Sequence, residues 1–102
     1  MTPEGKVKEL IKKFLKKYNI EYRMVIPSSY GNTTGMSDFC CILHGGVWLA
    51  IEAKAADKVP TKKQQEFLDM ITSAGGIGVG VNGQEQLDKL KAILVTSGFI
   101  ND

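Results

Sequence analysis

An α/β fold, with a mixed sheet flanked by helices on both faces, is predicted from three observations. Three segments repeat apolar residues with the 3.6-residue period of an amphipathic helix. Several short runs between them are apolar on both strand faces, as expected of strands covered on both sides. The segments alternate in the order α-β-β-β-α-β-α, so helices fall between and around strands.

Thr2 and Pro3 suit the N-cap and first helical position. Val7, Leu10, Ile11, Phe14, Leu15 and Tyr18 supply the apolar stripe that follows, and Asn19 ends it. Residues 20–26, IEYRMVI, suit a strand stopped by Pro27. The polar, glycine-punctuated run PSSYGNTTG (27–35) reads as a loop. Two strands follow over about 38–43 and 47–54, joined by the turn HGG. Thr61 with Gln64 forms a capping box that opens a second helix. Phe67, Leu68 and Ile71 make its stripe, and Gly75-Gly76 ends it. IGVGV (77–81) reads as a buried strand, and Leu87, Leu90, Ile93 and Leu94 predict a last helix over 84–96.

With 102 residues the chain is long enough for one core and too short for two, so it is expected to be a single domain over 1–102. No apolar run approaches membrane-spanning length, and the basic N-terminus lacks the apolar core of a signal peptide. A cytoplasmic, prokaryotic or phage protein is expected, with no membrane partner. Cys40 and Cys41 are adjacent, so they point to opposite strand faces and suit neither a disulfide nor a zinc site. The single histidine, His44, excludes chemistry that needs a histidine pair. GVGVNG (78–83) matches a dinucleotide fingerprint formally, but its glycines fall inside the strand instead of after it, so no nucleotide cofactor is expected. The net charge of +2 is mild, yet residues 1–18 carry six lysines against Glu4 and Glu9, enough to attract a polyanion or simply to solvate a helix face.

The stretch VWLAIEAKA (47–55) is the anomaly. Its apolar run ends in Glu52 and Lys54, which share one strand face. They suit either an exposed ion pair or a site that needs charge. With a three-residue loop centred on Gly45, paired positions sum to 90 and Asp38 lies opposite Glu52, with Cβ atoms roughly 5 Å apart. A two-residue turn would change the sum to 91 and send Asp38 to the other face. Two facing carboxylates repel unless protonated or bridged by a cation. Mg²⁺ suits such a pair, because it takes one or two carboxylates and keeps several waters. Glu4 continues the apolar stripe of the first helix, and Gln64 that of the second, so both face the sheet. Phe99 and Ile100 stand uncovered near the C-terminus and suit a subunit interface.

At these residues the chain resembles the PD-(D/E)xK nucleases. GMSD (35–38) followed by IEAK (51–54) looks like their motif, with Ser37 in place of proline. With PTKKQ and the following Gly-Gly, residues 3–82 are more similar still to the VRR-NUC (virus-type replication-repair nuclease) branch, in its small stand-alone phage form. That resemblance implies a restriction-endonuclease-like αβββαβ core with an extra C-terminal helix. It implies Asp38, Glu52 and the Ala53 carbonyl as ligands of Mg²⁺ or Mn²⁺, and Glu4 as the helix-one acid. Lys54 corresponds to the catalytic lysine and Gln64 to the branch's glutamine.

The expected function is thus a Mg²⁺-dependent, structure-specific DNA endonuclease. Stand-alone relatives suggest a homodimer that resolves four-way (Holliday) junctions, since a twofold dimer suits a twofold substrate. Lys58, Lys62, Lys63 and Arg23 are candidates for backbone phosphate contacts. The alternative is a nuclease subunit, or a non-catalytic nucleic-acid-binding module, working with a helicase or restriction partner.

Overall fold

The computed structural model describes residues 1–25 and 37–101. Helix α1 spans Pro3–Lys17, strand β1 Tyr22–Met24, β2 Phe39–Leu43 and β3 Val47–Ala53. Helix α2 (Lys62–Ser73), β4 (Ile77–Val81) and α3 (Gln84–Thr96) complete the chain. The expected order is therefore observed: an αβββαβ core followed by one more helix. The loop expected over 27–35, and the Gly35 and Met36 of the GMSD motif, lie outside the described residues.

The helix signals act as their chemistry requires. The Thr2 hydroxyl accepts the Gly5 N–H at 3.0 Å. Thr61 and Gln64 complete the capping box in both directions, at 3.2 and 2.9 Å. All three helices end alike. Asn19, Gly75 and Gly98 take positive φ (56°, 95° and 80°), and the residue after each returns its N–H to a carbonyl five residues back. Two expectations change for this reason. Ile20, expected to begin a strand, is instead the buried residue that closes α1, its N–H bonded to Leu15, and β1 starts only at Tyr22. Phe99, expected to be uncovered, is the closing residue of α3; it and Ile100 are half-buried against the main core.

The sheet has the order β1-β2-β3-β4; β4 runs parallel to β3, and the other pairs are antiparallel. One face carries Phe39, Cys41, Leu43, Leu49, Ile51, Ala53 and Val81, which pack with α1 and α3 into the larger core. The other face presents Ala50 to Leu68 and Ile71 of α2, with Trp48 edge-on to Phe67. Cys41 is buried and Cys40 half-buried, on opposite faces as expected. No helix among the described residues is long and apolar enough to cross a membrane.

β4 explains its glycines. Gly76, Gly78 and Gly80 alternate with valine and isoleucine, so they line the α2 side of the strand. A Cβ on Gly78 would stand 2.3 Å from the Leu68 carbonyl oxygen, and one on Gly80 would stand 2.7 Å from Pro60 Cγ. The stripe lets α2 and the segment before it lie directly on the sheet. Gly78→Ala is therefore expected to lower the unfolding free energy by about 1–3 kcal/mol, as overpacking does, read as an earlier urea midpoint.

Candidate functional site

The turn after β2 sets the geometry. Gly45 and Gly46 both take positive φ, and Gly46 donates its N–H to the Leu43 carbonyl. The strands pair Leu43 with Val47 and Phe39 with Ile51, so partners sum to 90. The three-residue loop is the one observed, and Asp38 falls opposite Glu52. The ladder ends at Phe39 and Ile51, and beyond it the Asp38 side chain takes over the bonding. Its Oδ2 accepts the Ala53 N–H at 2.8 Å. Ser37 is only 1 % exposed, and its hydroxyl donates to the Phe39 carbonyl at 3.0 Å. That hydrogen bond ties Ser37 to the first residue of β2.

Glu52 is 3 % exposed, and its Oε1 has no hydrogen-bond partner among the described residues. Burial pushes its carboxyl up to about 8 from the usual 4.5, helped by a hydrogen bond to the Asp38 carboxyl and by repulsion from it. Lys54 opposes the rise and Glu4 adds to it, so both stand within electrostatic reach. The Lys54 N–H donates to Val81 of β4 at 2.9 Å. The two ends of a trans peptide point opposite ways, so the Ala53 carbonyl is directed away from β4, toward the Asp38 side. Asp38, Glu52, Lys54 and the Ala53 carbonyl thus converge at one end of the hairpin.

Glu4 enters this cluster through a residue that sequence reasoning missed. Lys8 stands 3.6 Å from Glu4 Oε2 and 3.7 Å from Asp38 Oδ1, so it bridges α1 to the hairpin. Its only sequence signal is the four-residue spacing from Glu4, common to many surface pairs. Gln64 is half-buried and its Oε1 accepts the Thr61 N–H; no hydrogen bond among the described residues joins its side chain to Asp38 or Glu52. Lys58, Lys62 and Lys63 are exposed, and the Lys58 carbonyl is held by Asn82 at 2.8 Å. Arg23 pairs with Cys40 in β1, which puts it on the same sheet face as the site. Its guanidinium reaches the Tyr22 carbonyl at 2.9 Å and Glu21 at 3.7 Å.

Comparison of the chain with protein-family models, curated proteins and solved structures finds no match.

The donor set fits one hard divalent cation of the Mg²⁺ kind. Two carboxylates converge, one of them with an orphaned buried oxygen, and a backbone carbonyl is directed to the same side. Among the described residues no group of three or more His, Cys, Asp or Glu side chains is assembled, so Glu4 does not complete a three-carboxylate cage. Mg²⁺ tolerates this, since it is commonly held by one or two carboxylates with water completing its octahedron.

The raised Glu52 carboxyl has a stability consequence. Below about pH 4.5 it is protonated in both folded and unfolded chains. Between about 4.5 and 8 the unfolded chain ionises while the folded one keeps its proton. This group therefore costs stability as pH rises through that window, by up to about 1.4 kcal/mol per pH unit. Glu52→Gln removes the linkage. In EDTA its stability relative to wild type should improve from pH 4.5 to pH 8 by a few kcal/mol, measured by urea unfolding across that range.

Proposed function

We propose that the chain is a Mg²⁺-dependent endonuclease that hydrolyses phosphodiester bonds in branched DNA. The observation that carries this reading is Glu52: a buried carboxylate with an orphaned oxygen, facing Asp38 at the end of an otherwise apolar strand. A buried carboxyl with an unpartnered oxygen costs stability whether it keeps its proton or loses it, and a cation held between it and Asp38 would offset that cost. The resemblance of SD and IEAK to the VRR-NUC pattern supports the same assignment, as does the αβββαβ order.

When bound, the cation supplies a Lewis acid for the phosphate and a water of lowered pKa. The protein's own groups do the rest. The Ala53 N–H holds Asp38 by Oδ2, leaving Oδ1 on the open side of the carboxylate. Glu52 presents Oε1 from a fixed strand position. Lys54 brings a positive charge and N–H donors to the same face, suited to orienting the attacking water and stabilising charge on the phosphoryl oxygens. Water's oxygen bonds to phosphorus, the bond to the 3′ oxygen breaks, and the proton lost by water is matched by one gained at that oxygen. The products are a 5′-phosphate and a 3′-hydroxyl.

Arg23 on the shared sheet face, with Lys58, Lys62 and Lys63 beyond β3, serves backbone phosphates in this reading, positioning DNA without reading sequence. A homodimer acting on a four-way junction is part of the proposal.

Cleavage of junction, flap, single-stranded and duplex substrates in Mg²⁺ and in EDTA tests the reading, with sedimentation analysis of the same samples. Wild type should cut branched DNA in Mg²⁺ only. Asp38→Asn and Glu52→Gln should each reduce the rate on the order of 10³-fold, the several kcal/mol that metal-assisted charge stabilisation supplies. Lys54→Ala should reduce it while leaving DNA affinity nearly unchanged. Cutting that survives both carboxylate changes sinks the assignment. Tight junction binding with no cutting makes the chain a binding module.

A further inference from the structure

Lys8 has no role in the reaction described above, yet it is the residue that joins α1 to the acidic pair. Its ammonium meets Asp38 at Oδ1, the oxygen left open once Oδ2 has accepted the Ala53 N–H. At 3.7 Å this is a charge contact beyond direct hydrogen-bond range, so it holds Asp38 without a directional bond. The contact is sheltered: the Lys8 and Asp38 side chains are 30 % and 20 % exposed. One turn back on the same helix, Glu4 offers the ammonium a second partner at 3.6 Å.

We propose that Lys8 is the built-in counter-ion of the metal-free site, and that a divalent cation entering between Asp38 and Glu52 displaces its ammonium from Asp38 Oδ1 toward Glu4. This rests on the metal-binding part of the function proposed above and deepens it. Two cations drawn to the same oxygen repel each other, and the groups that face it fix the direction of the exchange. Asp38 attracts both cations, Glu52 adds its charge only when the metal displaces its proton, Lys54 repels both, and Glu4 receives whichever charge is turned away. Lys8 therefore acts as a positioning residue with two effects. It keeps the carboxylates together before metal arrives, and it weakens metal binding by making the incoming ion compete.

Mn²⁺ binding followed by electron paramagnetic resonance, on wild type, Lys8→Met and Lys8→Arg, reads both effects. Lys8→Met should bind Mn²⁺ more tightly, by between about three- and thirtyfold for loss of a single partly sheltered positive charge, and should melt earlier in EDTA. Lys8→Arg should restore the wild-type affinity. A residue that only shapes the site would give the opposite sign, weaker binding in Lys8→Met. Equal or weaker binding in that variant overturns the inference while leaving the metal site standing; absence of Mn²⁺ binding by wild type overturns both. If Lys8→Met does not fold, the side-chain ammonium resonances of wild type decide. The Lys8 signal should shift on adding Mg²⁺, and a signal unmoved while Mg²⁺ binds rejects the displacement.

Discussion

The 2.8 Å hydrogen bond from the Ala53 N–H to Asp38 Oδ2 is the contact on which the rest of the site depends. It forms where the β2–β3 ladder runs out, and it replaces a backbone partner with a side chain. Two things follow from that substitution. Asp38 is held in one orientation by the strand that carries Glu52, and Ala53 spends its N–H while its carbonyl stays directed to the same side. The bond exists only because the hairpin register sums to 90, and that sum rests on the positive-φ turn at Gly45 and Gly46. A shift of one residue would carry Asp38 to the face covered by α1 and α3.

Glu52 stands where the architecture is least forgiving of charge. β3 is one of the two inner strands of the sheet, and its residues from Leu49 to Ala53 are all buried. The glycine stripe of β4 increases that burial, because it lets α2 and Pro60 close on the sheet beside Glu52, whose partner in the ladder is Gly80. The same absence of side chains that permits tight packing thus removes water from the carboxylate. Burial disfavours ionisation, Asp38 opposes it further, and Lys54 only partly offsets them. The fold has concentrated a cost in one residue that a hydrophobic side chain of similar size would have avoided.

The electrostatic arrangement reaches beyond the hairpin. α1 contributes Glu4 and Lys8 from its first two turns, so the basic helix is not merely a solvated surface; its N-terminal end closes one side of the acidic pair. Glu4 acts on Glu52 at a distance and on Lys8 in contact, while Lys8 acts on Asp38. Charge is therefore balanced across two elements remote in sequence, and it couples the packing of α1 to the state of the site.

Much of this protein was legible without coordinates. Thr2, Thr61 and Gln64 mark helix starts because unsatisfied N–H groups demand a nearby acceptor, and Asn19 and Gly75 mark ends because few residues accept positive φ. Alternation and apolar runs located the strands, and the residues HGG narrowed the hairpin to two registers, one of which puts Asp38 and Glu52 on one face. These are local effects, set by chemistry within a few residues. Tertiary structure decided the remainder. Ile20 and Phe99 became closing residues of helices because a core lay beside them to receive their side chains. Gln64 shares the sheet-facing stripe of α2, yet its amide oxygen is spent on the Thr61 N–H. Lys8 joined the site because α1 lies across the sheet in a direction that no spacing within α1 encodes. Sequence determined the order of the elements and the candidate acidic pair; which of two hairpin registers formed, and which helix residue met that pair, were settled only by the folded structure, since contacts between elements depend on how whole surfaces fit.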